Sequence, residues 1–305
     1  MRIATYLHDG APAVGLVAGQ SILDLTTASK RFGAGQAPAS VLEMIAGGET
    51  ALTRARKALD EAKGQAGDTS LWHPLSEVRL LAPIPRPVKN VFCTGRNYKL
   101  HIEEGAREQG VEVTFPPVPE FFTKPPTAVI GPEAEIRLDT KLTMALDYEV
   151  EFAIVIGREC RDVKAGEALD MVFGYTVLND VSARDLQRAH GQWFKGKALD
   201  TSCPIGPWIV TADEFGSPND ARLTLRVNGE TRQDLTTADL LFDCATIIES
   251  LSQGLTLEPG DIICTGTPSG VGYAMKPPAL LKDGDIVEAE VVGIGVLRNT
   301  VRAVA

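Results

Sequence analysis

The sequence predicts an α+β fold dominated by β-structure, arranged as a roll or sandwich behind a small leading unit. Short runs rich in Val and Ile alternate with Gly and Pro through most of the chain, and each run has the length and turn boundaries of a strand. Segments with helical character are few. Because strands and helices do not alternate regularly, a doubly wound parallel sheet is disfavoured.

The first 82 residues predict a small α+β domain. Short strands are expected at 2–7 and 13–17. The S-x-x-E pattern from Ser40 to Glu43 is a capping box that opens a short helix. A second helix is expected over 50–63, where Ala, Lys and Glu favour helix by propensity.

A proline-dense stretch at 80–87 marks the predicted domain boundary, because proline fixes the backbone and removes hydrogen-bond donors. The boundary separates an N-terminal domain, 1–82, from a larger domain, 83–305. Strands of the larger domain are predicted at 88–93, 149–156, 172–178, 208–210, 222–227, 261–264 and 286–292. Helices are predicted near 97–109, 182–190 and 237–252.

Charge and composition narrow the classes of function. The chain has 30 Lys and Arg against 40 Asp and Glu, a net charge of -10, which would repel a nucleic-acid backbone. A small anionic substrate remains compatible with a locally basic site. No apolar run approaches the roughly 18 residues of a membrane helix, and no secretory signal is visible. The five cysteines form no C-x-x-C pair, so we expect reduced thiols in a cytoplasmic protein.

A pair of carboxylates on one strand is the most informative feature. Side chains alternate along a strand, so Glu149 and Glu151 share one face, about 7 Å apart at roughly 3.3 Å per residue. The same face turns apolar immediately afterwards, which places the pair at the rim of a buried region. Two like charges held there repel each other and resist desolvation, so we expect a cation to offset them. Because the ligands are oxygens, a hard divalent ion fits best. The alternative is a solvated edge strand.

A third carboxylate, Asp180, follows a second predicted strand. The S-x-x-D spacing lets Ser182 cap the next helix, with Asp185 in its first turn. Asp180 is then free to point elsewhere. The alternative is that it merely closes the end of its strand.

His101 and Glu104 lie three residues apart in a predicted helix and therefore share one face. A carboxylate beside an imidazole fixes its tautomer and raises its basicity, as a general base that activates water requires. The alternative is an incidental surface ion pair.

Two lysines and a glycine-rich loop could bind an anion. Lys124 and Lys197 each lie in a loop marked by Gly or Pro, where functional residues are frequent, although either could be a plain surface lysine. The stretch 261–272 runs from a strand into a Gly-rich loop without the features of a P-loop or a dinucleotide fingerprint. Its backbone amides could bind a carboxylate, or the loop could be a tight turn.

Taken together, these segments resemble the fumarylacetoacetate hydrolase family over roughly residues 85–300. No single motif is decisive, but their number and order are specific. The motifs are Gly95-Arg-Asn-Tyr98 with His101 and Glu104, Phe122-Thr-Lys-Pro-Pro126 with Ile130-Gly131, Asp147-Tyr-Glu-Val-Glu151, Gly174-Tyr175 with Asn179-Asp180, Ser182-Ala-Arg-Asp-Leu-Gln187, Gly196-Lys197, Cys203-Pro204 with Gly206-Pro207-Trp208, and Gly260-Asp261 through Gly266-Thr267-Pro268 to Gly270-Val-Gly272.

The resemblance implies a mixed β-sandwich roll, a homodimer, and a lid that carries His101 and Glu104. It implies that Mg²⁺, or Mn²⁺ or Ca²⁺, is held by Glu149, Glu151 and Asp180. The stretch 105–119 looks longer than in many members, so the lid is expected to have its own geometry. The residues that the resemblance places around the substrate are Lys124, Arg184, Gln187, Lys197 and Thr267.

We therefore predict a metal-dependent hydrolase that cleaves a carbon–carbon bond in an acylpyruvate-like 2,4-diketo acid through a metal-stabilised enolate, as in aromatic catabolism. His101, oriented by Glu104, would deprotonate the attacking water. Lys197 would stabilise the oxyanion or reprotonate the enolate, and Lys124 would neutralise substrate charge. The alternatives are an oxaloacetate-type decarboxylase, a hydroxydienoate isomerase, or a non-catalytic metabolite-binding protein.

Overall fold

The computed structural model describes residues 1–304 and is rich in β-structure. The strands are β1 (Arg2–His8), β2 (Ala11–Ala18), β3 (Ser21–Asp24), β4 (Trp72–Pro74), β5 (Arg79–Leu80), β6 (Val91–Gly95), β7 (Glu120–Lys124), β8 (Val129–Ile130), β9 (Glu135–Asp139), β10 (Leu146–Asp147), β11 (Val150–Ile156), β12 (Val172–Asn179), β13 (Ser182–Ala183), β14 (Cys203–Thr211), β15 (Arg222–Val227), β16 (Glu230–Thr236), β17 (Ile262–Cys264), β18 (Ile286–Val291) and β19 (Gly295–Val304).

The helices are short and lie mostly at the periphery of the sheets. They are α1 (Leu25–Arg31), α2 (Val41–Ala46), α3 (Gly48–Lys63), α4 (Lys99–Gln109), α5 (Ala165–Ala168), α6 (Arg184–Ala189), α7 (Phe194–Lys197), α8 (Ala212–Phe215) and α9 (Cys244–Ser252). Among residues 1–304, every helix is too short or too polar to cross a bilayer.

Two mixed sheets pack against each other. The larger is 12-stranded, with the order β4-β3-β2-β1-β14-β12-β11-β17-β6-β7 and with β5 and β8 attached beside this path. The smaller has the order β16-β15-β18-β19-β9. Most neighbours are antiparallel, but three pairs are parallel, namely β17 with β6, β14 with β8, and β19 with β9. The predicted β-dominated α+β fold with a mixed sandwich roll is therefore confirmed.

Strand β11 lies in the middle of the larger sheet and is buried along its whole length. Phe152 and Ile154 pack into the core shared with the smaller sheet, whereas Ala153 and Val155 pack into the core covered by α1, α2 and α3. The predicted alternation of faces is correct. Because both faces are buried, the solvated edge strand that we considered for this segment is wrong.

The N-terminal segment shares the larger sheet with the rest of the chain. Strand β1 pairs with β14, so that Arg2 faces Val210 and Ile3 faces Ile209. One apolar core contains Ile3 together with Val155 and other residues of the second segment. The predicted boundary at residue 82 therefore separates two stretches of sequence, while one continuous sheet runs across it.

Two predicted helix starts differ from the structure. Ser182 does not cap α6; its hydroxyl donates to the backbone oxygen of Asp180, and the cap residue is Ala183, which offers no side-chain acceptor. Helix α9 begins at Cys244 rather than near residue 237, because the Asp243 carboxylate accepts from the backbone N–H of Thr246 and caps the helix there.

Candidate metal centre and active-site cavity

Three carboxylates from two neighbouring strands meet at one point. Glu149 and Glu151 flank the start of β11, and Asp180 follows the end of β12, which pairs antiparallel with β11 so that Val150 faces Asn179. One oxygen from each carboxylate lies within 4.8 Å of the others. The side chains are almost fully buried, with residue exposures of 4%, 1% and 0%. The structure thus brings together the three acidic residues expected to bind a metal.

Cationic side chains already contact two of the three carboxylates. Nζ of Lys197 lies 2.8 Å from Oε2 of Glu149 and 2.6 Å from Oδ2 of Asp180. Nη2 of Arg184 lies 2.6 Å from Oε1 of Glu149, an ionic contact without hydrogen-bond alignment. Nζ of Lys124 lies 2.6 Å from Oδ1 of Asp180. The negative charges of Glu149 and Asp180 are therefore neutralised by side chains of the chain itself.

Glu151 is the exception. Among residues 1–304 it makes no ion pair, and its Oε2 accepts one hydrogen bond, 2.8 Å long, from the backbone N–H of Gly266. Burial, together with the charges of Asp180 and Glu149, raises the pKa of Glu151 well above its usual value. Burial alone would also raise the pKa of Glu149, but Lys197 and Arg184 outweigh it and lower that pKa.

This donor set fits a hard divalent cation. All the ligand atoms are carboxylate oxygens, which Mg²⁺, Mn²⁺ and Ca²⁺ prefer. Glu151 leaves one buried negative charge without a counter-ion, and a cation at the meeting point would supply it. Since Lys197 lies between Glu149 and Asp180, a bound cation would compete with its ammonium group for the same oxygens.

Helix α4 carries the predicted histidine–glutamate pair over this cluster. Nδ1 of His101 lies 3.3 Å from Oε2 of Glu104. The Glu104 carboxylate also accepts from the backbone N–H of Gly270, at 3.0 and 3.2 Å to its two oxygens. Gly270 has φ +102, and a Cβ there would lie 2.0 Å from the backbone oxygen of Arg232. Only glycine therefore fits at the point where the glycine-rich loop anchors the helix.

Glu149 and Glu151 line a cavity of about 550 Å³, and Asp180 is buried behind them. Arg184, Gln187, Lys197 and Thr267, all expected near the substrate, lie on its wall. Lys124 does not. It is fully buried behind Asp180 and also donates to the backbone oxygen of Val181. The geometry thus gives Lys124 the role of holding Asp180, in place of the direct substrate contact expected from the sequence.

Sequence reasoning missed two residues that organise this wall. Asp147 is fully buried and accepts from Nε of Arg184 at 2.9 Å and from the backbone N–H of Gly272 at 2.8 Å, so it joins the arginine to the glycine-rich loop. The ring of Tyr273 lies 4.5 Å from Cζ of Arg184. Asp147 could have been found as the residue two before Glu149 on the same face of the chain. Tyr273 had no signal beyond its place after the loop.

The long stretch after the histidine–glutamate pair contributes to the cavity. Helix α4 ends at Gly110, which adopts a left-handed conformation with φ 67. The following residues have no regular structure, and Val111, Glu112 and Thr114 line the cavity mouth. Through these three side chains, the stretch 105–119 forms part of the cavity wall beside the helix that carries His101 and Glu104.

The fold and this cation-accepting, carboxylate-floored cavity define the class of protein. A family model described as "Fumarylacetoacetate (FAA) hydrolase C-terminal" matches residues 90–302. The chain is an enzyme of the fumarylacetoacetate hydrolase family, and the resemblance seen in the sequence is confirmed.

Individual relatives are similar over nearly the whole chain. Oxaloacetate tautomerase YisK from Bacillus subtilis is 43% identical, over 99% of this chain and 100% of its own length. Fumarylacetoacetate hydrolase from Exiguobacterium antarcticum is 40% identical with a TM-score of 0.81, and covers 100% of both chains. Maleylpyruvate hydrolase from Sphingobium sp. SYK-6, solved with manganese(II) and pyruvate, is 32% identical with a TM-score of 0.76, again over 100% of both chains.

Proposed function

We propose that this enzyme interconverts the enol and keto forms of oxaloacetate. The observation that carries the proposal is the 43% identity, over essentially the full length of both chains, to a protein named as an oxaloacetate tautomerase. This function is closer to the isomerase alternative than to the carbon–carbon hydrolase that we favoured from the sequence. Both reactions would pass through the same kind of enolate at the same site.

The reaction moves one proton and breaks no carbon–carbon bond. The enol hydroxyl loses a proton, the adjacent carbon C3 gains one, and no water is consumed. Such a reaction needs a group that carries a proton and positive charge beside the oxygen that becomes negative. It needs no nucleophile.

The floor residues supply the charge. Glu149, Glu151 and Asp180 would hold Mg²⁺ or Mn²⁺, which when bound withdraws electron density from the 2-oxo group and favours the enolate. Lys197 adds a second positive charge on the cavity wall. Burial alone would lower the pKa of Lys197, but Asp180 and Glu149 outweigh it and raise that pKa, so the ammonium form persists at neutral pH.

His101 is the proton carrier in this proposal. It lines the cavity and has one ring nitrogen beside Glu104, which leaves the other nitrogen free to exchange a proton with C3. Glu104 orients the ring and is itself held by the Gly270 amide. The pair thus performs proton transfer without the attacking water that a hydrolase would require.

Hydrolysis of an acylpyruvate is the second candidate. It is supported by the full-length similarity to maleylpyruvate hydrolase and by the same His101–Glu104 pair, which could activate water instead. The predicted place in aromatic catabolism goes with this candidate rather than with oxaloacetate tautomerisation. Decarboxylation of oxaloacetate is a further reaction of the same enolate.

Product analysis separates these reactions. The full-length enzyme with magnesium chloride is mixed with freshly dissolved enol-oxaloacetate, and the enol is followed by its ultraviolet absorbance. The proposal expects accelerated loss of the enol with keto-oxaloacetate as the product. Pyruvate formed from oxaloacetate would indicate decarboxylation, and pyruvate formed from acetylpyruvate would indicate hydrolysis. Tight binding of oxalate without any turnover would indicate a metabolite-binding protein and would refute the proposal.

We also propose a cytoplasmic homodimer, as the family resemblance implies. Segment 111–119 is compatible with this assembly because Val111, Phe115 and Val118 are exposed apolar side chains. Light scattering after gel filtration measures the mass directly, and a particle of 32.6 kDa would refute the dimer.

A further inference from the structure

One positively charged side chain on the cavity wall has few partners within the protein. Its position bears on which substrates the cavity can bind. Four Arg or Lys side chains line the cavity, namely Arg96, Arg184, Arg188 and Lys197. A 2-oxo acid with one carboxylate needs only the floor of the site, whereas oxaloacetate has a second carboxylate that must lie elsewhere. A cation already committed to a protein carboxylate is a poor partner for it.

Three of the four cations are committed. Arg96 makes two hydrogen bonds to Glu120, one of them 2.7 Å long. Arg184 and Lys197 are buried, and their partners are Asp147, Glu149 and Asp180. The contacts of Arg184 and Lys197 with these carboxylates lie between 2.6 and 2.9 Å.

Arg188 is different. Its side chain is 56% exposed and, among residues 1–304, has a single ionic partner, Glu108, with 3.1 Å between Nη2 and Oε2. The remaining donors of its guanidinium are free for a second acceptor, and a planar fork of donors matches a carboxylate.

The fold also orients Arg188. It lies one turn after Arg184 on α6, and both guanidinium groups lie over the ring of Tyr273, with Cζ 4.5 Å from the ring centroid for Arg184 and 5.3 Å for Arg188. The guanidinium group of Arg184 contacts the carboxylate of Glu149 on the floor of the cavity. The four residues from Arg184 to Arg188 rise about 6 Å along the helix axis, a distance of the same order as the length of a four-carbon diacid.

We propose that Arg188 binds the distal carboxylate of the substrate and thereby selects 2-oxo dicarboxylates over 2-oxo monocarboxylates. The proposal rests on the proposed oxaloacetate chemistry and refines it. Glu108, on the helix that carries His101, occupies Arg188 when no substrate is bound and is displaced, wholly or in part, by the incoming carboxylate. Arg188 is thus a specificity-determining residue and takes no part in proton transfer.

The test compares two ligands that differ in the distal group. Malate has a second carboxylate beyond its 2-hydroxy acid, and oxalate has no distal group. In magnesium chloride, Arg188→Leu is expected to weaken malate binding about tenfold in calorimetry while oxalate binding stays unchanged. Arg188→Lys should recover part of the loss. Glu108→Gln, which removes the competing carboxylate, should bind malate about twofold more tightly.

Kinetics give a second readout. Arg188→Leu is expected to raise the KM for oxaloacetate about tenfold and to lower kcat much less, because the proton carrier is untouched. Thermal melts of each variant establish that it is folded.

Equal weakening of malate and oxalate, or no weakening of either, would overturn the role of Arg188. Failure of the wild-type enzyme to tautomerise oxaloacetate, with the malate–oxalate contrast intact, would refute the proposed reaction and leave Arg188 as the site for a distal carboxylate.

Discussion

The floor and the lid of the cavity are built by different physical means. On the floor, Glu149 and Asp180 are at most 4% exposed and are held by ion contacts of 2.6 to 2.8 Å from buried cations. On the lid, the side chains of His101 and Glu104 are 14% and 18% exposed and rest on a 3.3 Å contact and one loop amide. The floor fixes charge in place, whereas the lid holds the proposed proton carrier, which remains accessible.

The largest effect is expected on the floor. There, substitution of either of two neighbouring glutamates should reduce activity, but the two substitutions should have opposite effects on stability. Glu149→Gln and Glu151→Gln should each reduce magnesium-dependent kcat/KM at least about a thousandfold. In metal-free protein, Glu149→Gln should lower the free energy of unfolding by about 3 kcal/mol, because it removes one of the two carboxylate partners from each of the buried cations Lys197 and Arg184.

Glu151→Gln should instead raise that free energy, by about 1 kcal/mol, because it removes a buried carboxyl group that has no counter-ion and whose charged form is disfavoured by burial and by the neighbouring carboxylates. Urea unfolding in chelator measures both variants. A loss of stability in Glu151→Gln as large as in Glu149→Gln would contradict the charge assignment of the floor.

Substitution on the lid should separate activity from stability. His101→Ala is expected to reduce kcat between about a hundredfold and ten-thousandfold, the usual contribution of general acid–base catalysis. The free energy of unfolding should change by less than about 1 kcal/mol, since the His101–Glu104 contact is weak and partly exposed. Glu104→Gln is the matched variant, with a smaller loss of kcat. Wild-type kcat in His101→Ala would eliminate it as the proton carrier.

Magnesium should stabilise the floor specifically. At a free concentration a hundredfold above its Kd, a ligand of the folded state adds about 2.7 kcal/mol to the free energy of unfolding. We expect this gain in wild type and in His101→Ala, and its absence in Glu151→Gln. Equal stabilisation of all three by magnesium would mean that the ion binds away from the floor.

The stability of the metal-free enzyme should also depend on pH. The pKa of Glu151 is raised by burial and by the nearby carboxylates, so the folded state binds a proton more tightly than the unfolded state. Stability is then highest below the ordinary glutamate pKa and falls as pH rises toward the folded pKa, by up to about 1.4 kcal/mol per pH unit. Urea midpoints against pH measure the slope, and Glu151→Gln should flatten it.

Local patterns predicted much of the fold. The two-residue period of β11 placed Glu149 and Glu151 on one face, and the strands at 172–179 and 222–227 were found from the same kind of pattern. The pairing of β1 with β14 was not predictable, because backbone hydrogen bonds between distant segments leave no periodic trace in either one. Proline density at 80–87 is a local signal, and the domain boundary predicted from it stays a prediction.

The same limit applies to the site. Residue type and spacing identified the acidic cluster and the His101–Glu104 pair, with support from the family resemblance. The ion contacts of Lys197 and Lys124 depend on packing between distant elements, so the lysines were assigned to substrate rather than to the carboxylates. Arg188 was missed because a surface arginine on a short helix carries no distinguishing pattern.

The position of β1 in the larger sheet has a consequence for biosynthesis. Ile3 pairs with Ile209, so its neighbour leaves the ribosome roughly two hundred residues later, a delay of about 10 to 40 s at usual rates of elongation. During that interval the edge of β1 at Arg2 and Ile3 has no partner strand, although Ile3 is completely buried in the finished protein. The nascent chain therefore exposes an unpaired strand edge until translation is two-thirds complete, and it is at this stage that a chaperone would act on it.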